Sequence, residues 1–265
     1  MVGLVTTLAT PTLAEVEAAL HHSHDRLSRH VSALGPDELS GPSYDTDWSV
    51  ADVLSHLGSG AEIFTLLLEA GLGRRPAPEF PEFSAVWDAW NAKTPQAQAA
   101  DSLAVNAAFL ERLAPLDETQ RRAFAVEMFN GRQDLLGLVR LRLSEHAVHT
   151  WDVLVVADPQ AQVAPDATAA LLVGLDDLVA RAGQRSEQPL RVAVRTSEPE
   201  AAFLLEVDAD GPRLTVGSDE TPPARLRLPA EAFIRLVYGR LDPEHTPDGT
   251  ESSTVESLRS VFRGI

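Results

Sequence analysis

The stretch with the greatest potential for chemistry spans residues 140–152, where acids and imidazoles stand among apolar residues. It lies within an apolar-rich segment, residues 135–156, whose pattern predicts a buried helix. At about 100° per residue, Glu145, His149 and Asp152 share a helical face with core leucines and valines. Ionisable groups on such a face are costly unless they are paired or bind a metal.

One helical turn separates Glu145 from His149, so a carboxylate oxygen and an imidazole nitrogen can meet at one point. Helical bundles build metal sites from such inward-facing pairs and ligands on a facing helix. His56, on the apolar stripe of another predicted helix, is the best candidate for a third ligand. Two imidazoles and a carboxylate leave a coordination position open, as in catalytic zinc sites, and they also suit iron. Asp152 can hold the outer ring nitrogen of His149.

Each of these residues also has an interpretation without a metal. Glu145 and His149 can form a polar pair inside a core, and spacing alone does not decide between the two. His56 can be a core histidine with a satisfied partner, and Asp152 can form a helix salt bridge or a tertiary cap. His146 is expected to face elsewhere. The first predicted helix carries a histidine-rich tract, which can bind metal but is expected to be an exposed polar face. Its members are His21, His22, His24 and His30.

The first part of the chain has the periodicity of four long helices. Thr12 with Glu15, and Ser49 with Asp52, have the spacing of capping boxes at the first two helix starts. Short connections between long amphipathic helices predict a four-helix bundle up to about residue 157. The expected long helices cover residues 11–34, a segment from residue 49, 96–113 and 135–156, with a short helix at 83–90 and a link at 114–129.

The pattern changes after residue 157. One further helix is expected at residues 164–182, followed by short alternating runs that predict strands. These runs cover residues 190–195, 202–207, 213–216 and 224–228, and helices are expected at 229–238 and 252–262. The predicted fold class is therefore α+β. An N-terminal four-helix bundle, residues 1–157, is followed by a smaller α+β domain with an antiparallel sheet, residues 158–265.

Composition narrows the classes of partner. The chain has 265 residues and a net charge of −17, from 39 acidic and 22 basic residues. Because no basic stripe is present, nucleic-acid binding is not expected, and the acidic balance argues against anionic membranes. No segment is long and apolar enough to span a membrane, and the N-terminus lacks a signal-peptide pattern. A soluble cytoplasmic protein, monomer or homodimer, is the expectation.

Cysteine is absent from the sequence. Disulfides, thiolate metal sites and a cysteine nucleophile are thereby excluded. Any sulfur chemistry must use a thiol supplied from outside. Lys93 is the only lysine, a bias towards arginine that is typical of a GC-rich bacterial genome.

Two segments, WSVADVLSHL at residues 48–57 and EHAVHTWD at 145–152, resemble the mycothiol-dependent maleylpyruvate isomerase family. That family belongs to the DinB-like metal-binding four-helix bundles. The resemblance covers about residues 12–157, and the remaining chain is similar to the family's C-terminal domain with fewer motif residues. It implies a divalent metal, usually zinc, held by His56, Glu145 and His149. It also implies an arginine of the C-terminal domain near the active site, for which Arg240 is the candidate.

The resemblance further implies an enzyme that uses a low-molecular-weight thiol such as mycothiol. Its reaction would be isomerisation or S-transfer on a small electrophilic substrate. If that substrate is acidic, an arginine such as Arg240 can bind its carboxylate through two hydrogen bonds. Two other functions stay open: a non-catalytic bundle that binds a metal or ligand, and a metal hydrolase that uses zinc-bound water. For Arg240 itself, ordinary solvation at the surface is the alternative.

Overall fold

The computed structural model describes residues 8–45, 47–128, 131–218, 220 and 222–264. The first seven residues, which carry most of the segment examined for a signal peptide, lie outside them. The chain divides into two compact units. We call residues 12–161 the bundle unit, and the described residues from 162 onwards, together with residues 8–11, the sheet unit. Within the described ranges, none of the helices has the length and apolar character needed to cross a membrane.

Long helices form the core of the bundle unit. Its helices are α1 (Leu13–Val31), α2 (Pro36–Leu39), α3 (Val50–Gly71), α4 (Phe80–Asn91), α5 (Pro95–Leu113), α6 (Glu118–Ala123) and α7 (Leu135–Leu154). Helix α3 packs against α5 and α7, and α1 packs against α7. The predicted four-helix bundle is confirmed, with α1, α3, α5 and α7 as its long members.

The predicted capping boxes begin two of these helices. At α3, Asp52 N donates to Ser49 Oγ at 3.1 Å, and Ser49 N donates to Asp52 Oδ2 at 2.9 Å. Thr12 and Glu15 make the same reciprocal pair at α1. These bonds satisfy backbone N–H groups that the first helical turn leaves without partners. The cap of α3 therefore fixes where the helix that carries His56 begins.

A small antiparallel hairpin lies in the segment predicted to be a link and in the residues after it. Strands β1 (Val126–Met128) and β2 (Gly131–Gln133) pair with each other directly before α7. The prediction missed them because strands of three residues are too short for alternation to be visible.

The sheet unit combines helices with a four-stranded sheet. Its elements are α8 (Pro165–Leu172), α9 (Leu175–Ala182), β3 (Leu190–Ser197), β4 (Ala201–Asp208), β5 (Gly211–Val216), β6 (Ala224–Pro229), α10 (Ala230–Val237) and α11 (Ser252–Val261). The single helix predicted over residues 164–182 is wrong, because it divides into α8 and α9. Gly174 lies between them with φ at 87°, a left-handed conformation that ends a right-handed helix.

The sheet has the strand order β5-β4-β3-β6. The pairs β3–β4 and β4–β5 are antiparallel, as predicted. The pair β3–β6 is parallel, so the sheet is mixed rather than wholly antiparallel. The difference arises because β6 does not follow β5 as a hairpin partner but joins the opposite edge beside β3. The α+β class itself is confirmed.

A close approach between α3 and α4 gives a stability prediction. A Cβ added at Gly58 would lie 2.2 Å from the ring of Trp90, which is 1% exposed and enclosed. Gly58→Ala should therefore lower the free energy of unfolding by about 1–3 kcal/mol through overpacking. Elsewhere in a helix interior the same change stabilises by up to about 1 kcal/mol.

Urea denaturation measures both effects in a double-mutant cycle. In a Trp90→Leu background, where the ring is gone, Gly58→Ala should cost little or should stabilise. An equal loss in both backgrounds would show that the ring is not the cause.

Candidate metal centre

Packing sets the rotation of the helix that carries two of the candidate ligands. The side chain of Asp134 caps α7 by accepting a hydrogen bond from Gly137 N at 2.8 Å. Leu138, Leu143 and Trp151 are fully buried along the helix. Because these apolar side chains fix how α7 sits in the bundle, Glu145 and His149 stay together on a face that meets α3.

The three candidate ligands predicted from the sequence come together. His56 Nε2 lies 3.1 Å from Glu145 Oε2, and His149 Nε2 lies 3.9 Å from the same oxygen. One donor atom from each of the three residues lies within 4.8 Å of the others. In the part of the chain that the structure describes, no other three acids or histidines meet this criterion.

This site keeps an open side. The side chains of His56 and Glu145 are 35% and 37% exposed, whereas that of His149 is 10% exposed. Three donors with one partly exposed side are the arrangement that lets an exchangeable ligand complete a coordination shell.

The outer nitrogen of His149 is held by a buried carboxylate. His149 Nδ1 lies 2.8 Å from Asp152 Oδ2, and Asp152 is 0% exposed. An ionised carboxylate only accepts hydrogen bonds, so the ring donates its proton from Nδ1. Nε2, the ring nitrogen on the side of Glu145, is the one that this hydrogen bond leaves available as a ligand. The position of Asp152 is the one expected of a residue that orients a metal-binding histidine.

Trp48 forms a wall of the site that the sequence did not reveal. Its ring centroid lies 5.3 Å from that of His56 and 6.1 Å from that of His149, nearly parallel to the latter. It also packs against the core cluster that includes Val53. The same ring therefore both packs against the core and borders the two candidate histidine ligands.

The electrostatics of the site favour an ionised Glu145 beside a neutral His56. Burial opposes ionisation of Glu145, but the hydrogen bond with His56 and the positive charges nearby outweigh it and lower its pKa to about 2. Burial lowers the pKa of His56 from its ordinary value of 6.5, although its contact with Glu145 opposes that shift. At neutral pH these are the protonation states in which both groups act as metal ligands.

The match to a known family covers the bundle unit. The family described as "Mycothiol maleylpyruvate isomerase N-terminal domain" matches residues 20–154, just over half of the chain. The chain belongs to this family. All three candidate ligands and Asp152 lie within the matched residues, whereas Arg240 lies outside them. No curated protein is significantly similar to the chain in sequence.

Two solved structures share the fold. One is a mycothiol-dependent maleylpyruvate isomerase, with a TM-score of 0.66, 14% identity, and coverage of 92% of this chain and 94% of that one. The other is a mutant of such an isomerase in which a histidine is replaced by alanine. It has a TM-score of 0.64 and 15% identity, with coverage of 89% and 92%. At these identities the likeness shows that the two-part fold of the maleylpyruvate isomerases is shared.

The remaining histidines near α7 do not join the ligand set. His146 is 1% exposed, and its Nδ1 lies 2.8 Å from Ser23 Oγ and 3.2 Å from Thr150 Oγ1, so it faces elsewhere, as expected. In the tract on α1, His21 and His22 are exposed as predicted. The prediction is wrong for His24 and His30, which are half-buried. His24 is covered because its ring contacts that of His146, with centroids 6.0 Å apart.

Arg240, a residue of the sheet unit, is buried. It is 5% exposed, so the alternative of an ordinary solvated residue is wrong. Its Nη1 donates to the carbonyl of Tyr238 at 2.7 Å, and its own carbonyl accepts from Arg235 Nη1 at 3.3 Å. Gly239, which lies between Tyr238 and Arg240 in the sequence, has φ at 74°. A Cβ at this position would lie 2.3 Å from Gly264 N. The loop that presents Arg240 is therefore closely packed.

Buried histidines make the stability of the metal-free protein depend on pH. Burial lowers the pKa of His146 well below 6.5, and burial also lowers the pKa of His24 and of His56. A histidine with a lowered pKa binds fewer protons in the folded chain than in the unfolded one. Its contribution is therefore complete above about pH 6.5 and is lost as the pH falls below that value.

Urea denaturation with a chelator present, between about pH 7 and 5, should show the free energy of unfolding falling with pH. A single such site contributes a slope of at most about 1.4 kcal/mol per pH unit. His146→Asn should flatten the slope, whereas the exposed His21→Asn should not. A stability that does not change over this range would contradict the assignment.

Proposed function

We propose that the protein is a metal-dependent enzyme that uses a low-molecular-weight thiol, mycothiol or a close analogue, to isomerise a small acidic electrophile or to transfer sulfur to it. The observation that carries the proposal is the meeting of His56, Glu145 and His149 donors within 4.8 Å, at a partly exposed position. Membership of the mycothiol maleylpyruvate isomerase family supports the proposal that the enzyme uses a thiol.

The donor set fits a divalent ion. Zinc bonds of about 2.1 Å in tetrahedral geometry place neighbouring donors roughly 3.4 Å apart. The separations of Glu145 Oε2 from the two imidazole nitrogens, 3.1 and 3.9 Å, lie on either side of that distance. Zinc is our first choice, and iron and nickel accept the same ligands. Such an ion supplies a positive charge beside which a thiol ionises at neutral pH.

Three further residues have separate tasks in this proposal. Asp152 holds the proton on Nδ1 of His149 and so directs Nε2 to the ion. The Trp48 ring, beside both imidazoles, keeps water from one side of the site. Arg240 is proposed to bind a substrate carboxylate, because a guanidinium can do so through two parallel hydrogen bonds.

The thiol must be supplied as a cofactor, because the chain has no cysteine of its own. In isomerisation, the thiolate sulfur adds to a carbon of a conjugated cis double bond, and the electron pair moves to the conjugated carbonyl oxygen. Rotation about the new single bond and expulsion of the same thiolate give the trans isomer. In S-transfer, the thiolate instead displaces a leaving group, which departs with its electron pair. We expect the enzyme to act in the cytoplasm, as a monomer or homodimer.

Loss of one ligand should abolish both metal binding and turnover. His149→Ala leaves two donors, so metal content measured by elemental analysis should fall well below one ion per chain. Conversion of maleylpyruvate with mycothiol, followed by NMR, should be lost with it. The exposed His21→Ala is the matched control and should retain both.

Several results would overturn this function. If His149→Ala kept its full metal content and its turnover, the assignment of these three residues as the metal site would be wrong. Turnover that needs no thiol would favour a hydrolase using metal-bound water. A protein that binds metal but converts neither maleylpyruvate nor an activated aryl halide would favour a binding role.

The carboxylate behind His149 gives a graded test. Asp152→Asn keeps the shape but removes the negative charge that holds the Nδ1 proton. Metal affinity, measured by competition with a chromophoric chelator, should fall by about 10- to 100-fold. Asp101→Asn, which alters an exposed carboxylate on α5 that pairs with Lys93, should leave affinity within about twofold. Equal affinity in Asp152→Asn and the wild type would show that Asp152 serves only packing.

A further inference from the structure

A buried arginine lies one helical turn before Glu145. Arg142 on α7 is 1% exposed, and its Nη2 donates to the carbonyl of Leu57 at 2.8 Å and to Asn106 Oδ1 at 2.6 Å. Both acceptors are uncharged. Its Nε is buried and has no hydrogen-bond partner among the described residues. Neutral partners are an expensive environment for a buried cation, so a role beyond stability is worth seeking.

The acceptors of Arg142 join three helices next to a candidate ligand. Leu57 directly follows His56 on α3, and Asn106 lies on α5. Asn106 Nδ2 also donates to Leu57 O at 3.4 Å and to Ser102 O at 2.9 Å. We call Arg142, Asn106 and the Leu57 carbonyl the arginine clamp. It ties α7, which carries Glu145, to the backbone of α3 at the residue beside His56.

The sequence of α3 makes room for the clamp. A Cβ at Gly60 would lie 3.1 Å from Nη1 of Arg142, closer than side chains normally approach. One turn further on, the ring of Phe64 lies 5.7 Å from Cζ of Arg142. His56, Gly60 and Phe64 are each four residues apart, so they form one row along the helix. The guanidinium thus packs against the same row of α3 that presents the candidate ligand.

The charge of Arg142 and its geometry have opposite consequences for a bound metal. Burial lowers the pKa of Arg142 to about 10, so it remains a cation at neutral pH, with Glu145 as its attracting charge. A cation near the site repels a divalent ion. The hydrogen bonds, in contrast, hold His56 where it meets Glu145 and so remove the ordering cost that metal binding would otherwise include.

We propose that Arg142 is a positioning residue for the metal centre: the arginine clamp sets the spacing of α3 and α7 so that His56 meets Glu145 and His149. The proposal rests on the metal centre under Proposed function. It requires that the positioning effect exceed the repulsion between the guanidinium and the ion.

Whether zinc binding becomes weaker or tighter when Arg142 is replaced tests this proposal. Arg142→Met removes both the clamp and the charge, and Asn106→Leu weakens the clamp but keeps the charge. Zinc affinity of the metal-free proteins, measured by chelator competition, should fall by about tenfold or more in Arg142→Met. It should fall by a smaller factor in Asn106→Leu. With Co²⁺ as the probe, the visible absorption of both variants should shift from that of the wild type.

Arg235→Met controls for the loss of a buried arginine. Arg235 is 3% exposed and pairs with Glu231 in the sheet unit. Its loss should lower thermal stability but leave zinc affinity and the Co²⁺ spectrum unchanged.

The outcomes separate the possible roles. Tighter zinc binding in Arg142→Met would mean that the charge dominates, and unchanged affinity would mean a purely structural role; either overturns the proposal. If Arg142→Met does not fold, Asn106→Leu decides by the same measurements, with unchanged affinity counting against the clamp. A wild-type protein that binds neither metal would refute the metal centre itself, which is a different failure.

Discussion

The closeness of two imidazoles to one carboxylate is the constraint on which the bundle unit depends. His56 and Glu145 belong to different helices and approach to 3.1 Å, so α3 and α7 must keep a fixed separation and rotation. A slip of one residue along either helix would turn a ligand by about 100° and out of the site. The fully buried Leu54 and Leu57 on α3, and Leu138 on α7, oppose such a slip because they would have to leave the core.

Small residues and caps supply the precision that this constraint needs. Gly58 admits the Trp90 ring and Gly60 admits the Arg142 guanidinium, so α3 is approached closely on two sides. Ser49 and Asp52 fix where that helix begins. None of these residues is a candidate ligand, yet each limits the positions that His56 can take. A metal site held on rigid helices in this way loses little freedom when an ion binds.

The sequence predicted the parts of this arrangement that depend on helical spacing. Glu145, His149 and Asp152 follow from their positions on one helix, and His56 from the apolar stripe it interrupts. Contacts between helices were not predictable in this way. Trp48 carries the signature of a cap, and only the fold places its ring beside His149. Arg142 was not singled out because its partners are a backbone carbonyl and an amide, to which no sequence pattern points.

The same reasoning explains the errors elsewhere in the chain. Half-burial of His24 follows from its contact with His146 across two helices, which periodicity within α1 cannot show. The break at Gly174 depends on a left-handed backbone that a glycine permits but does not require. The parallel pairing of β3 and β6 depends on the route that the chain takes between the two strands. The alternation of apolar and polar residues shows only which residues face the core and not the direction of a neighbouring strand.

The charge of the whole chain is at odds with the substrate that we propose for it. A net charge of −17 repels an acidic molecule and a thiolate at long range. Screening limits that repulsion to about 8–10 Å at physiological ionic strength, so groups within the site decide what binds. There the balance is different, because the buried cation Arg142 lies one helical turn from Glu145 and attracts its charge, and a divalent ion would add two positive charges. Anion recognition must therefore be local, and in the proposed function the charge of the bound ion supplies it for a thiolate.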